Sequence, residues 1–176
     1  LRRTQYYVEA LAKELVASGK YVDQLNDETI TLLFKSAPLH DIGKVGIPDS
    51  ILLKPGKLTD EEFEIMKNHA TLGADAIEIS KDSLENSETS FLRFAREIAG
   101  THHEKWNGSG YPIGLVGVDI PLSGRLMAVA DVYDALISKR VYKPAFSHAK
   151  SRDIIIEGRG SHFDPDIVDA FVRIEE

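Results

Sequence analysis

Apolar residues recur at three- and four-residue steps along most of the chain, and the interruptions are as informative as the rhythm. From Arg2 to Ser18 the positions Tyr7, Val8, Leu11, Ala12, Leu15 and Val16 form one stripe, which predicts a helix with a single buried face. Gly19 is placed to end it. Asn26-Asp-Glu-Thr29 offers caps for a second helix through Ile30, Leu32, Leu33 and Phe34 to Leu39, with Pro38 near its end. Gly43, Gly46, Pro48 and Pro55 make the stretch from Asp41 to Gly56 largely loop. Thr59 and Glu62 stand at capping-box spacing, predicting a helix from Asp60 to His69 and another from Gly73 to Ser80. Ser80 to Ser90 is polar and reads as surface loop, and helical periodicity returns from Phe91 to Ala99. Five glycines and two prolines between Trp106 and Gly124 preclude a long helix there. Arg125 to Ser138 is apolar nearly all round, as a central buried helix requires. Ala149 to Glu157 and Pro165 to Ile174 complete the set, the last opened by Asp164 as N-cap with Pro165 in the first position. No internal repeat or low-complexity segment is present. The expectation is an all-α bundle in one domain with one long functional loop.

Composition narrows the chemistry. The chain has 176 residues, 43% hydrophobic and 28% charged, enough to bury a single core. It contains no cysteine, which excludes disulfide scaffolds, Cys-ligated zinc, iron–sulfur clusters and thiol nucleophiles; a metal would have to be held by histidine and carboxylate. Lys and Arg number 21 against 28 Asp and Glu, a formal charge of −7, which argues against a nucleic-acid polymer or an anionic membrane as partner. A small anionic substrate stays compatible if positive charge is concentrated locally. No apolar run approaches the ~20 residues of a spanning helix and no signal peptide is apparent, so the expected location is cytoplasmic. The start at Leu1 rather than Met is read as the beginning of the C-terminal part of a longer protein.

Four of the six histidines, His40, His69, His102 and His103, fall at predicted helix ends or beside loop residues. Neighbouring residues on a helix point about 100° apart, so His40 and Asp41 converge on one point most easily where the helix stops. Together they offer a nitrogen ligand and a carboxylate able to bridge two metals. The adjacent pair His102 and His103 is awkward in a core, because burial favours neutral rings whose nitrogens all need partners; neutral imidazole is also what a metal binds. His69 reads equally well as a ligand or as a partner of a helix C-terminus. Asp131 interrupts the apolar run Leu126-Met-Ala-Val-Ala130 with a carboxylate that a metal or a cation must compensate, whereas Asp134 reads as structural. His148 reads as a helix-start residue and His162 as a turn residue.

As an ordered set these motifs resemble the HD-GYP family, a branch of the HD superfamily of metal-dependent phosphohydrolases. The resemblance rests on His40-Asp-Ile-Gly-Lys44, Ile47-Pro-Asp-Ser-Ile-Leu-Leu-Lys-Pro-Gly-Lys-Leu58, His69 and His102-His-Glu-Lys-Trp-Asn-Gly-Ser-Gly-Tyr-Pro112. It continues through Ala130-Asp-Val-Tyr-Asp-Ala-Leu136, Arg140-Val-Tyr-Lys-Pro144 and Gly158-Arg-Gly-Ser-His-Phe-Asp-Pro165. It implies an HD-type helical bundle spanning residues 1–176 and hydrolysis of cyclic di-GMP to the linear dinucleotide, with a further step to GMP left open. By this resemblance His40, Asp41, His69, His102, His103 and Asp131 are metal ligands, with Asp41 bridging and acting with Lys44 as a catalytic residue. Lys44, Tyr111, Arg140 and Lys143 would contact substrate. The cofactors implied are two divalent ions, or three where extra ligands are available. Iron or manganese suits a shell of nitrogen and oxygen donors, and ligand type alone does not exclude zinc or nickel.

Family members with a third metal draw on a Glu and a His just upstream of the point where this chain opens at Leu1-Arg-Arg-Thr-Gln5, so the nuclearity stays open. Asn107 stands where Asp is common and could tune substrate contacts. The resemblance also implies protein partners through the Gly-Tyr-Pro loop, homodimerisation, and fusion to an N-terminal regulatory domain such as a response-regulator receiver. Two other readings remain: a degenerate domain acting as a nucleotide-binding or protein-interaction module, and an HD hydrolase of another cyclic dinucleotide or nucleotide.

Overall fold

The structure is a computed structural model that describes residues 2–81, 86–138 and 145–174. Regular structure among these residues is helical: α1 (Arg2–Ala17), α2 (Asp27–Ser36), α3 (Asp49–Leu52), α4 (Asp60–Lys81), α5 (Asn86–Thr101), α6 (Leu122–Ile137), α7 (His148–Glu157) and α8 (Pro165–Arg173). Only two isolated bridges, Asn107 with Val116 and Arg159 with Phe163, add β-type pairing among them. None of the described helices is long and apolar enough to cross a membrane.

The core forms where the apolar stripes of α1, α6 and α8 meet. Val8, Leu11, Ala12 and Leu15 of α1 pack against Leu126, Met127, Val129 and Ala130 of α6 and against Ile167, Val168 and Phe171 of α8. The N-terminal nine residues of α6, Leu122 to Ala130, are all buried, and burial relaxes from Asp131 onward. One half of this helix is therefore a pillar of the core, and the other begins at the carboxylate that the sequence singled out.

Local signals explain most boundaries. Thr59 and Glu62 complete a reciprocal capping box at α4, with Glu62 N donating to Thr59 Oγ1 at 3.2 Å and Thr59 N to Glu62 Oε2 at 2.7 Å. Asp164 caps α8 by accepting from Asp166 N at 2.9 Å, with Pro165 in the first turn. Four expectations need correction. The segment from Asp60 to Ser80 is one helix, not two, because Gly73 serves a close contact instead of a stop. Helices enter the stretch read as loop from Ser80 to Ser90 from both sides, α4 running to Lys81 and α5 starting at Asn86; its polarity there is not accompanied by Gly or Pro, which would stop them sooner. The Asp41 to Gly56 loop is mostly helical turns, a 3₁₀ segment from Ile42 to Gly46 and α3, since Gly46 and Pro48 fall at turn ends and Gly43 is accommodated within a turn. Finally, α6 starts at Leu122, with Pro121 as its N-cap, and includes Arg125, whose charge is buried. Its Nη1 lies 2.6 Å from Asp164 Oδ2 and also donates to the Tyr21 hydroxyl, so α6, α8 and the turn after α1 are joined by one enclosed ionic network.

Candidate metal centre

His40 and Asp41 sit between two 3₁₀ turns, Ala37–Leu39 and Ile42–Gly46, and Asp41 leaves helical geometry with φ −101° and ψ 10°. That break lets both side chains aim at one point. Gly43 is what allows the point to lie against α4: a Cβ there would fall on the carbonyl oxygen of His69 and the amide nitrogen of Gly73. His69 projects from α4, His102 and His103 follow the end of α5, and Asp131 projects from α6.

The carboxylate of Asp41 is shared between two groups of candidate ligands. Oδ1 lies 3.6 Å from His69 Nε2 and 4.0 Å from His102 Nε2, while Oδ2 lies 3.4 Å from His40 Nε2 and 2.6 Å from Lys44 Nζ. Asp131 Oδ1 approaches His40 Nε2 at 3.7 Å. One ring nitrogen from each of His69, His102 and His103 lies within 4.8 Å of the others. All six residues read from the sequence as ligands thus meet in one place.

Tautomers are fixed by the backbone. His40 Nδ1 lies 2.8 Å from Ala37 O, His69 Nδ1 2.7 Å from Met66 O and His102 Nδ1 2.9 Å from Ile98 O. A carbonyl only accepts, so each Nδ1 carries a proton and Nε2 of each ring faces the site, its lone pair free for a cation where the ring is neutral. Nε2 of His69 and Nε2 of His102 are buried and have no hydrogen-bond partner. Buried polar atoms without partners are rare, and a cation is the partner this pair fits.

Charge follows the same logic. Burial holds the imidazole of His102 well below its ordinary range, reinforced by the neighbouring His103. Burial, then His69, lowers His103 to about 3, and burial likewise lowers His69. These rings are neutral and available as donors at neutral pH. Burial would raise the Asp41 carboxyl, but its hydrogen bond and charge interaction with His40, together with Lys44, outweigh that and keep it ionised. His40 is the exception: burial opposes its proton, yet Asp41 and Asp131 raise it. The carboxylates therefore favour positive charge at this point.

The loop after α5 closes one side. Glu104, buried directly after the His pair, accepts from the backbone N–H groups of Ile113, Gly114 and Leu115 at 2.8, 3.0 and 3.1 Å. It ties the Gly-Tyr-Pro segment down, and Gly110 fits only because a Cβ would fall on Lys105 N and Glu104 Cα. Tyr111 then stacks on His103, ring centroids 4.7 Å apart. Sequence reasoning did not assign Glu104 a role; the available signal was a carboxylate facing a glycine-rich run with many N–H groups to satisfy. Asn107 does not reach the ligand cluster in this arrangement, its Oδ1 accepting from Ser109 N and Ser109 Oγ, a task that Asp would perform equally. Asp134 pairs with Arg3 of α1 at 2.8 Å. His148 begins α7 and bonds to Tyr133, and His162 lies in the turn before α8. Arg140 and Lys143 lie outside the described residues.

The family description "HD domain" matches residues 2–167. This chain belongs to the HD domain family. The Gly110-Tyr111-Pro112 loop places it in the HD-GYP branch. Two proteins of Vibrio cholerae serotype O1 are similar to this HD-GYP domain. One, named cyclic di-GMP phosphodiesterase, is 64% identical over 99% of this chain; the other, named probable cyclic di-GMP phosphodiesterase, is 60% identical over 100% of it. The domain spans 35% and 40% of those relatives' own lengths. A solved structure, the cyclic GMP-AMP specific phosphodiesterase V-cGAP3 of Vibrio cholerae, aligns with TM-score 0.69 at 18% identity over 99% of this chain and 43% of its own, a likeness of fold.

Proposed function

We propose that this domain is a metal-dependent phosphodiesterase that hydrolyses cyclic di-GMP to the linear dinucleotide, as one unit of a longer signalling protein. The observation that carries the reading is the division of Asp41, one oxygen toward His69 and His102 and the other toward His40. That is the arrangement expected of a carboxylate bridging two cations. His40, Asp41, His69, His102, His103 and Asp131 would hold them. The donor set is nitrogen and oxygen only, which suits iron or manganese. Divalent cations bound there would supply Lewis acidity toward the phosphate oxygens and a water acidified to near neutrality.

The remaining work falls to the chain itself. Lys44, whose ammonium meets Asp41 Oδ2 at 2.6 Å and is partly exposed, would swing onto a phosphate oxygen and neutralise it. Burial, and then the charges of Asp131 and Asp41, raise the Tyr111 hydroxyl, so it keeps its proton and would donate to the dinucleotide. Arg140 and Lys143 would add phosphate contacts. The Gly-Tyr-Pro loop held by Glu104 would shield the reacting phosphate from bulk water.

The test is to load the protein anaerobically with iron or manganese and resolve the products of cyclic di-GMP by chromatography. Linear dinucleotide formation that a chelator stops and added metal restores is the expected result. A metal-loaded protein that leaves cyclic di-GMP intact would end the proposal.

A further inference from the structure

Beside the ligand cluster lies an aromatic wall that metal binding does not explain. Phe63 and Lys67 stand four apart on one face of α4, toward Tyr111. The ring of Phe63 meets that of Tyr111 edge-on at 6.2 Å, and Lys67 Nζ lies 5.2 Å from the first centroid and 5.7 Å from the second. Tyr111 in turn stacks on His103. Two ring contacts therefore lead from a ligand histidine outward to Phe63, which keeps 43% of its surface exposed. A large apolar ring amid the glutamates of the first turns of α4 contributes little to folding. The pairing of Lys67 with Glu64 is to a largely exposed carboxylate, and such pairs are weak enough to exchange.

From this geometry we infer that Phe63, Lys67 and Tyr111 form the wall that holds one guanine base of the substrate, Phe63 by stacking and Lys67 by donating to the base's O6 and N7. The inference rests on the phosphodiesterase reading and deepens it. Aromatic side chains bind bases through their π-faces with little sequence preference. A lysine adds discrimination, because guanine offers two acceptors on that edge where adenine offers one acceptor and an opposing amino group. The wall is thus a specificity element, separate from the groups that act on the phosphate.

Binding is measured by calorimetry on the metal-loaded protein with phosphorothioate analogues of cyclic di-GMP and cyclic di-AMP, alongside steady-state turnover of cyclic di-GMP. Phe63→Ala should raise the dissociation constant for the guanine analogue about ten-fold, within the range for loss of one base–aromatic stack. KM should rise in parallel while kcat stays within about two-fold, as for loss of ground-state binding. Phe63→Leu, which keeps apolar bulk against Tyr111, should be as weak as Phe63→Ala, and Phe63→Trp should restore binding. Lys67→Met should weaken the guanine analogue and leave the adenine analogue unchanged. A Phe63→Leu protein that binds like the parent, a fall in kcat at constant KM, or an equal effect of Lys67→Met on both analogues overturns the wall. Parent protein that binds the guanine analogue but does not turn over cyclic di-GMP refutes the activity and leaves the wall to be judged by the variants. Parent protein that binds no guanine analogue refutes the wall.

Discussion

Oδ1 of Asp41 lies 3.6 Å from Nε2 of His69, and the other oxygen of the same carboxylate faces His40 and Lys44. A carboxylate placed between two groups of candidate donors should affect both when it is removed. Asp41→Ala should therefore lower bound metal by at least one equivalent and take turnover below detection. Elemental analysis beside the hydrolysis assay reads both, and full metal content in the variant would end the bridging role.

Lys44 touches the same carboxylate but brings charge instead of a lone pair. Lys44→Ala should retain metal and lose about 10²-fold in turnover, the size of effect seen when one charge-stabilising donor is deleted. If metal is lost as well, the ammonium supports the ligand set and not the substrate.

Glu104 holds three amides of the loop with one carboxylate. Glu104→Gln replaces one acceptor oxygen with an amino group facing N–H donors, and should destabilise the fold by about 1–3 kcal/mol. Hydrogen exchange should quicken first at Ile113, Gly114 and Leu115. Uniform quickening across the chain would show that Glu104 supports the whole fold and not this loop.

The Arg125–Asp164 pair is enclosed, its side chains 6% and 1% exposed. Asp164→Ala strands a buried guanidinium and removes the cap of α8, and should cost about 3–5 kcal/mol by chemical denaturation. The double replacement Arg125→Met with Asp164→Leu should cost less than the single one, because no charge is left without a partner.

Acid should weaken the fold through His162. Burial, then Lys105, lowers this imidazole to about 4, below its ordinary range. The unfolded chain therefore binds the proton more readily than the folded one. The stability contribution is present in full above about pH 6.5 and is lost as pH falls toward about 4. Urea midpoints at pH 7, 6 and 5 should decline, and His162→Phe should flatten that decline; an unchanged slope would assign the acid sensitivity to the ligand histidines.

The parts of this molecule legible in its sequence are those set by local chemistry. The stripe of α1, the capping box of Thr59 and Glu62, the Asp164 cap and the odd position of Asp131 all depend on nearby residues, and all are found in the structure. The rest depends on partners distant in sequence. Gly73 reads as a helix breaker until Gly43 is seen to press against it. Arg125 reads as the polar edge of an apolar run until Asp164, 39 residues away, is seen to neutralise it. The candidate ligand histidines could be listed from their neighbours, but which nitrogen faces inward is decided by the carbonyls of Ala37, Met66 and Ile98. Backbone carbonyls carry no sequence signal. Phe63 went unassigned for a similar reason, since its partner Tyr111 arrives on a loop nearly fifty residues later.

The contact at Gly43 has a consequence for how this centre can change. At that one point main chain rests on main chain, between the turn that bears His40 and Asp41 and the helix that bears His69, while the side chains of Ile42 and Leu72 fill the contact around it. That direct contact limits how far repacking of the surrounding core can shift the spacing of these donors. Preference for one metal over another would then depend more on the donors outside that contact, Asp131 on α6 and His103 beside the loop. Variants selected for a new metal should accumulate changes there and leave the two glycines alone.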